Sequence, residues 1–210
     1  MKRVWTKKMH FAFDELKKKD ILFEKIIEMY GLPKDRSIPN NFASLARIII
    51  GQQISRSAAE SIYSKLNSDN LLCVKNILRM DLLELKTRGL SLQKCKYLHN
   101  LANKIANKEI KLNKFENLSS SEVFESLIIL NGIGEWTIKN YMLFVLQDVD
   151  AWPGSDLALQ ESIKKLNNLK IRPNNEYMNK ISNKWKPFRG AAALILWHYH
   201  GVLKSINRDK

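Results

Sequence analysis

Leu130-Asn131-Gly132-Ile133-Gly134-Glu135-Trp136-Thr137 is the stretch on which the reading of this chain turns. Apolar residues at three-and-four spacing (Val123, Phe124, Leu127, Ile128, Leu130) run up to it and predict an arriving helix. Gly-x-Gly then allows a tight turn that a partner can approach closely, because neither glycine carries a Cβ. A second helix opens at once with Glu135. Its first amides lack intrahelical acceptors and sit at the positive end of the helix dipole, where a phosphate can bind. Taken alone, Gly-x-Gly between two helices is also the pattern of a plain connection.

The same period extends in both directions. Phe42, Leu45, Ala46, Ile48, Ile49 and Gln52 fall on one helical face. Ser91 precedes a long pattern through Leu92, Cys95, Leu98, Leu101, Ala102 and Ile105, and Ser119 with Glu122 reads as a capping box. Leu16, Ile21, Leu22, Ile26, Ile27 and Tyr30 make residues 1–40 helical as well. Gly31, Pro33 and Pro39, then Gly89, then Pro153-Gly154 mark connections, and Pro173 and Pro187 bound the last helices. Strand alternation is hard to find. The pattern predicts an all-α chain of about nine or ten helices with no internal repeat.

At 210 residues and 24.4 kDa the chain can bury a core without metal or disulfide staples. A hydrophobic fraction of 45% argues against disorder. Lys and Arg exceed Asp and Glu by 35 − 21 = 14, for a pI near 9.7. The basic residues are scattered (Lys2, Arg3, Lys7, Lys8, Arg47, Arg56, Lys94, Lys96, Lys139, Lys164, Lys165, Lys184, Arg189) and do not form a tail. A folded positive face for a polyanion or an anionic surface fits, unless the charge is a solubility device; nucleic acid leads, with RNA or a membrane surface as alternatives. Cys73 and Cys95 are too few for a disulfide framework or a four-cysteine metal cluster, which suits a reducing compartment. His198 and His200, two apart on a helix, diverge too far to share a metal. No apolar run nears the ~18 residues of a membrane span, and the N-terminus lacks a signal-peptide core. A soluble, intracellular monomer is expected.

Two further stretches carry candidate chemistry. In Asp150-Ala151-Trp152-Pro153-Gly154-Ser155-Asp156-Leu157, Asp156 follows a Pro-Gly turn at a helix start, with Ser155 the candidate N-cap. Asp156 could simply complement the helix dipole. Gly51-Gln52-Gln53-Ile54-Ser55 interrupts an apolar helix with two amides, which a polar helix junction would also explain.

Ala43 to Leu66, the Gly132–Thr137 hairpin, the Pro-Gly-Ser-Asp loop, and Trp185-Lys186-Pro187-Phe188-Arg189 with Ala193, Leu194 and Trp197 follow one another in an order that resembles the helix-hairpin-helix DNA glycosylase superfamily. The likeness is nearest to its 3-methyladenine DNA glycosylase II (alkylpurine) branch and spans about residues 40–202. It implies two helical lobes with a cleft between them. One is a middle lobe of about residues 42–150 holding the hairpin 130–137. The other comprises about residues 1–41 and 151–210. It also implies Asp156 as the catalytic carboxylate, and Trp136, Trp197 and Trp185 around the base pocket, Trp185 more as support. Gln53 and Ile54 would fill the gap left by a flipped base, with Ile54 the apolar wedge. Gly132, Gly134, Thr137 and Lys139 would bind the DNA backbone.

Departures from the family pattern bear on function. Asn131 stands where proline is common and Glu135 where a basic residue is frequent, placing negative charge beside the phosphate site. The branch's best-known member carries an additional N-terminal β-rich domain, which is not expected here. Members that also cut the strand carry a lysine two residues after the second hairpin glycine; here that residue is Trp136, so the resemblance implies a monofunctional enzyme. No iron-sulfur cluster or metal is expected, although the hairpin carbonyls could hold a monovalent cation. The partner implied is double-stranded DNA with damaged bases, in a bacterial or archaeal cytoplasm or a eukaryotic nucleus. A glycosylase for deaminated or oxidised bases and a non-catalytic hairpin DNA-binding module remain alternatives.

Overall fold

A computed structural model describes residues 4–206; Lys2 and Arg3 of the basic set lie outside them. Among the described residues there is no strand. The described residues form twelve α-helices and two 3-10 turns, more than the nine or ten expected. The excess lies in pieces such as Val74–Arg79 and Leu82–Thr87, six residues each, too short for apolar periodicity to register.

The contacts cluster into two units, Ile38–Leu146 and Met1–Ser37 with Gln147–Lys210. The continuous unit holds α3 (Phe42–Ile50), α4 (Arg56–Ser68), α5 (Val74–Arg79), α6 (Leu82–Thr87), α7 (Leu92–Ala106), α8 (Ser120–Ile128) and α9 (Glu135–Phe144), with a 3-10 turn at Leu112–Asn117. Its centre is α3, packed on α4, α7 and α9. Asn41 caps it, and Leu45, Ala46, Ile49 and Ile50 are fully buried. At roughly 1.5–3 kcal/mol for each large aliphatic side chain taken from water, this helix anchors the unit. Ser91 and Ser119 cap α7 and α8 as their sequence predicts, the latter with the full capping box of Glu122. Cys95 is buried on the inner face of α7.

The other unit comprises α1 (Lys7–Lys19), α2 (Ile21–Tyr30), α10 (Leu157–Leu166), α11 (Asn175–Ser182) and α12 (Arg189–Ile206), with a 3-10 turn at Asn183–Trp185. Helix α12 packs on α1, α2 and α10. Its first turns are small for a reason: a Cβ on Gly190 would lie 2.7 Å from the Asp148 carbonyl oxygen. Trp185 fills the middle of this core against Phe23 and Trp152, with ring centroids 5.0 and 5.6 Å away.

Candidate functional site

In the continuous unit, the hairpin joins α8 to α9 through a turn whose two glycines have different tasks. Gly132 has φ +82°, and a Cβ there would stand 2.2 Å from the Tyr97 ring. Conformation and close packing both require glycine. Gly134 (φ −94°, ψ 177°) is an ordinary N-cap for α9, is exposed, and would find nothing within 4 Å of an added Cβ. Helix α9 therefore opens without a side-chain cap, its first-turn amides presented through a residue that has no bulk. Glu135 is exposed, Trp136 is half-buried, and the Lys139 ammonium lies 5.3 Å from the Phe124 ring centroid.

Thr137 is one of the four residues that the resemblance sets against the DNA backbone. Its side chain is buried, and its hydroxyl accepts an N–H from Gln52 at 2.8 Å. A hydroxyl held inside the fold cannot reach a phosphate; what Thr137 offers an anion is its backbone amide at the third position of α9.

The turn between α3 and α4 lies next to this hairpin. Gln52, placed by periodicity on the face of α3, instead sits in the turn after the helix stops at Ile50. Its amide nitrogen donates to the Gly132 carbonyl and to Thr137, both at 2.8 Å. Gln53 adopts a left-handed φ of 56°, and both it and Ile54 are exposed. Ile54 thus presents an apolar side chain, 39% accessible, at the tip of a turn. Ser55 restarts the chain as N-cap of α4. The Lys94 ammonium donates to the Ile50 and Gln52 carbonyls at 2.7 and 2.8 Å. The sequence reading gives neither Gln52 nor Lys94 a role at the site. A signal exists for Lys94, since a cation in the first turn of a helix opposes its dipole.

In the other unit, Asp156 rather than Ser155 is the N-cap of α10. Ser155 is exposed. Asp156 Oδ1 accepts from the Ala158 and Leu159 amides at 2.9 and 3.1 Å, and from the Trp197 indole N–H at 2.8 Å. Three donors on one oxygen fix the orientation of the carboxylate, and each such bond is stronger to a charged acceptor than to a neutral one. Trp197 is half-buried, with the Arg36 guanidinium 6.0 Å from its ring centroid. The loop before Asp156 is held by its own amide, which donates to the Pro153 carbonyl at 2.9 Å. Neighbouring acids are engaged otherwise. Asp150 makes a two-pronged pair with Arg189 at 2.9 and 2.6 Å, and Glu161 pairs with Arg172 at 3.7 Å.

Trp185, expected more as support for the pocket than as its wall, is enclosed. It is 1% accessible, and its indole N–H donates to Asp20 at 2.8 Å. A ring enclosed on every side has no face for a base, so Trp185 belongs to the core. Both the Leu130 and Gly132 carbonyls accept one N–H, from Ile133 and from Gln52. A carbonyl's second lone pair leaves each able to coordinate a cation.

Residues 46–188 match the family described as the HhH-GPD superfamily of base excision DNA repair proteins. The chain is 31% identical over 162 residues to the alkylbase DNA glycosidase-like protein mag2 of Schizosaccharomyces pombe, covering 74% of this chain and 76% of that one. It is 28% identical to DNA-3-methyladenine glycosylase 1 of the same yeast, over 82% of this chain and 78% of that one. Among solved structures, the S. pombe 3-methyladenine DNA glycosylase Mag1 in complex with abasic DNA superposes with a TM-score of 0.81 at 28% identity, over 89% of this chain and 94% of that one.

Proposed function

The chain belongs to the HhH-GPD superfamily of base excision DNA repair proteins, and from that premise we propose that it is a monofunctional DNA glycosylase releasing alkylated purines from duplex DNA. The observation that carries the reading is the Asp156 carboxylate, oriented by two helix amides and the Trp197 indole. Breaking an N-glycosidic bond develops positive charge on the sugar. A fixed carboxylate stabilises that charge without reorganising and helps orient the attacking water. An N3- or N7-alkylated purine is already cationic and leaves without a dedicated acid. Relatives named as 3-methyladenine DNA glycosylases favour this lesion class over deaminated or oxidised bases.

The other residues supply binding and selection. The hairpin amides opening at Gly134 hold a strand phosphate, and a monovalent cation at the hairpin carbonyls would add positive charge there. Extruding the base costs a few kcal/mol of stacking, and Ile54 occupies the gap it leaves. Trp136 offers a π face to the cationic base, worth about 0.5–2 kcal/mol. Because Trp136 stands where a strand-cutting member has lysine, no imine to the sugar forms.

The test is Asp156→Asn, assayed on alkylated duplex DNA beside the wild type. Asparagine keeps an oxygen for the cap and for Trp197 but has no charge. Base release should fall by about 10²–10³ while duplex binding persists. Near-normal release would remove Asp156 from the chemistry. The same wild-type reaction should leave an intact abasic strand and no borohydride-trapped protein–DNA adduct; an adduct would mean that an amine attacks the sugar.

A further inference from the structure

Lys94 is not explained by the helix it helps to start. As the third residue of α7 its cation opposes the helix dipole. Its ammonium is partly desolvated, which lowers its pKa, and no neighbouring charge offsets that burial. What it gains is the pair of carbonyls at Ile50 and Gln52, the end of α3 and the turn beyond it. Gln52 is also held from its other end, where its amide donates to Gly132 and Thr137 in the hairpin. The amide's orientation is unambiguous, because a carbonyl oxygen can only accept. The next residue, Gln53, is held at a positive φ that costs a non-glycine residue about 1–2 kcal/mol, so the turn would not keep this shape unaided.

We propose that Lys94 and Gln52 form a brace that locks the Gln53–Ile54 tip to the hairpin, so that the wedge is already in place when a base leaves the stack. Both are positioning residues, and the functional half of the inference rests on Ile54 acting as the wedge. A simple helix cap would predict something different: a loss of stability, felt equally on all DNA.

Lys94→Met keeps the aliphatic stem and the helix propensity while removing the donor. Three quantities decide: backbone amide exchange across residues 52–55, affinity for undamaged duplex, and single-turnover base release from alkylated duplex. The brace predicts faster exchange confined to the turn and release slowed at least about tenfold, since two charge-assisted hydrogen bonds are lost. Affinity for undamaged duplex should stay within about twofold. Lys94→Arg should restore release, and Ile54→Ala added to Lys94→Met should cost little more than either alone. Gln52→Leu, which cuts the other end, should reproduce the pattern and serves if Lys94→Met folds poorly. Unchanged exchange in 52–55, or losses fully additive with Ile54→Ala, would overturn the brace. Should Ile54→Ala alone leave base release untouched, the wedge reading falls, while faster exchange in Lys94→Met still upholds the brace.

Discussion

The two hairpin glycines should fail in different ways when each is given a methyl group. At Gly134 the backbone angles suit any residue and the space is open. Alanine there gains about 0.4–1 kcal/mol by restricting the unfolded chain. It loses about as much as a poorer N-cap than glycine. Stability should therefore move by less than ~1 kcal/mol. The methyl, however, stands where a phosphate must come within hydrogen-bond distance of the α9 amides. One such charge-assisted bond is worth about 1.5–3 kcal/mol, so its removal costs at least tenfold in affinity. At Gly132 the balance reverses. The φ of +82° costs alanine about 1–2 kcal/mol, and a Cβ 2.2 Å from the Tyr97 ring forces a shift worth a further ~1–3 kcal/mol.

Urea denaturation and fluorescence anisotropy on damaged and undamaged duplex across a salt series separate the two effects. Gly134→Ala should unfold like the wild type and bind both duplexes at least about tenfold more weakly, with a salt slope shallower by about 0.9 for each phosphate that the hairpin no longer neutralises. Gly132→Ala should lose about 2–5 kcal/mol of stability, with weaker binding only as a consequence. Normal binding by Gly134→Ala at every salt concentration would reduce the hairpin to a connection between helices.

Two other perturbations bear on the second unit. Trp197→Phe keeps an aromatic ring but removes the donor to Asp156, so single-turnover release should fall about tenfold with duplex affinity unchanged; a matching loss of affinity would make the ring, not the indole N–H, the important part. Burial pushes the Asp20 carboxyl up, but hydrogen bonds from Lys184, Trp185 and the Leu22 amide outweigh it and leave its pKa below the ordinary value. The resulting stability is fully present above the unfolded-state pKa and is lost as pH falls through the lower folded one. Asp20→Ala should flatten that acid limb of the melting-temperature profile and, by unpairing the Trp185 indole and uncapping α2, cost about 2–4 kcal/mol near neutral pH; an unchanged limb would assign the acid sensitivity elsewhere.

What is legible in the sequence is what is local. A capping box is written in four consecutive residues, and Ser119 with Glu122 forms one in the fold. Gly132 and Gly134 announce the hairpin because a tight turn between helices is decided within a few positions. The contacts that are not legible there are the long-range ones. The Trp185 N–H finds Asp20, 165 residues away, and no pattern near residue 185 signals that partner. The Thr137 hydroxyl accepts from Gln52 across 85 positions. Asp156 and Trp197 both stand out in the sequence, yet the bond between them, 41 residues apart, is what makes their pairing mechanistically specific. Lys94 differs from these, because its position conflicts with a local rule. A lysine at the third residue of a capped helix opposes the dipole. Such a conflict is visible in the order of the residues alone. For Lys94 the contact behind the conflict is with the backbone of the turn that carries Ile54.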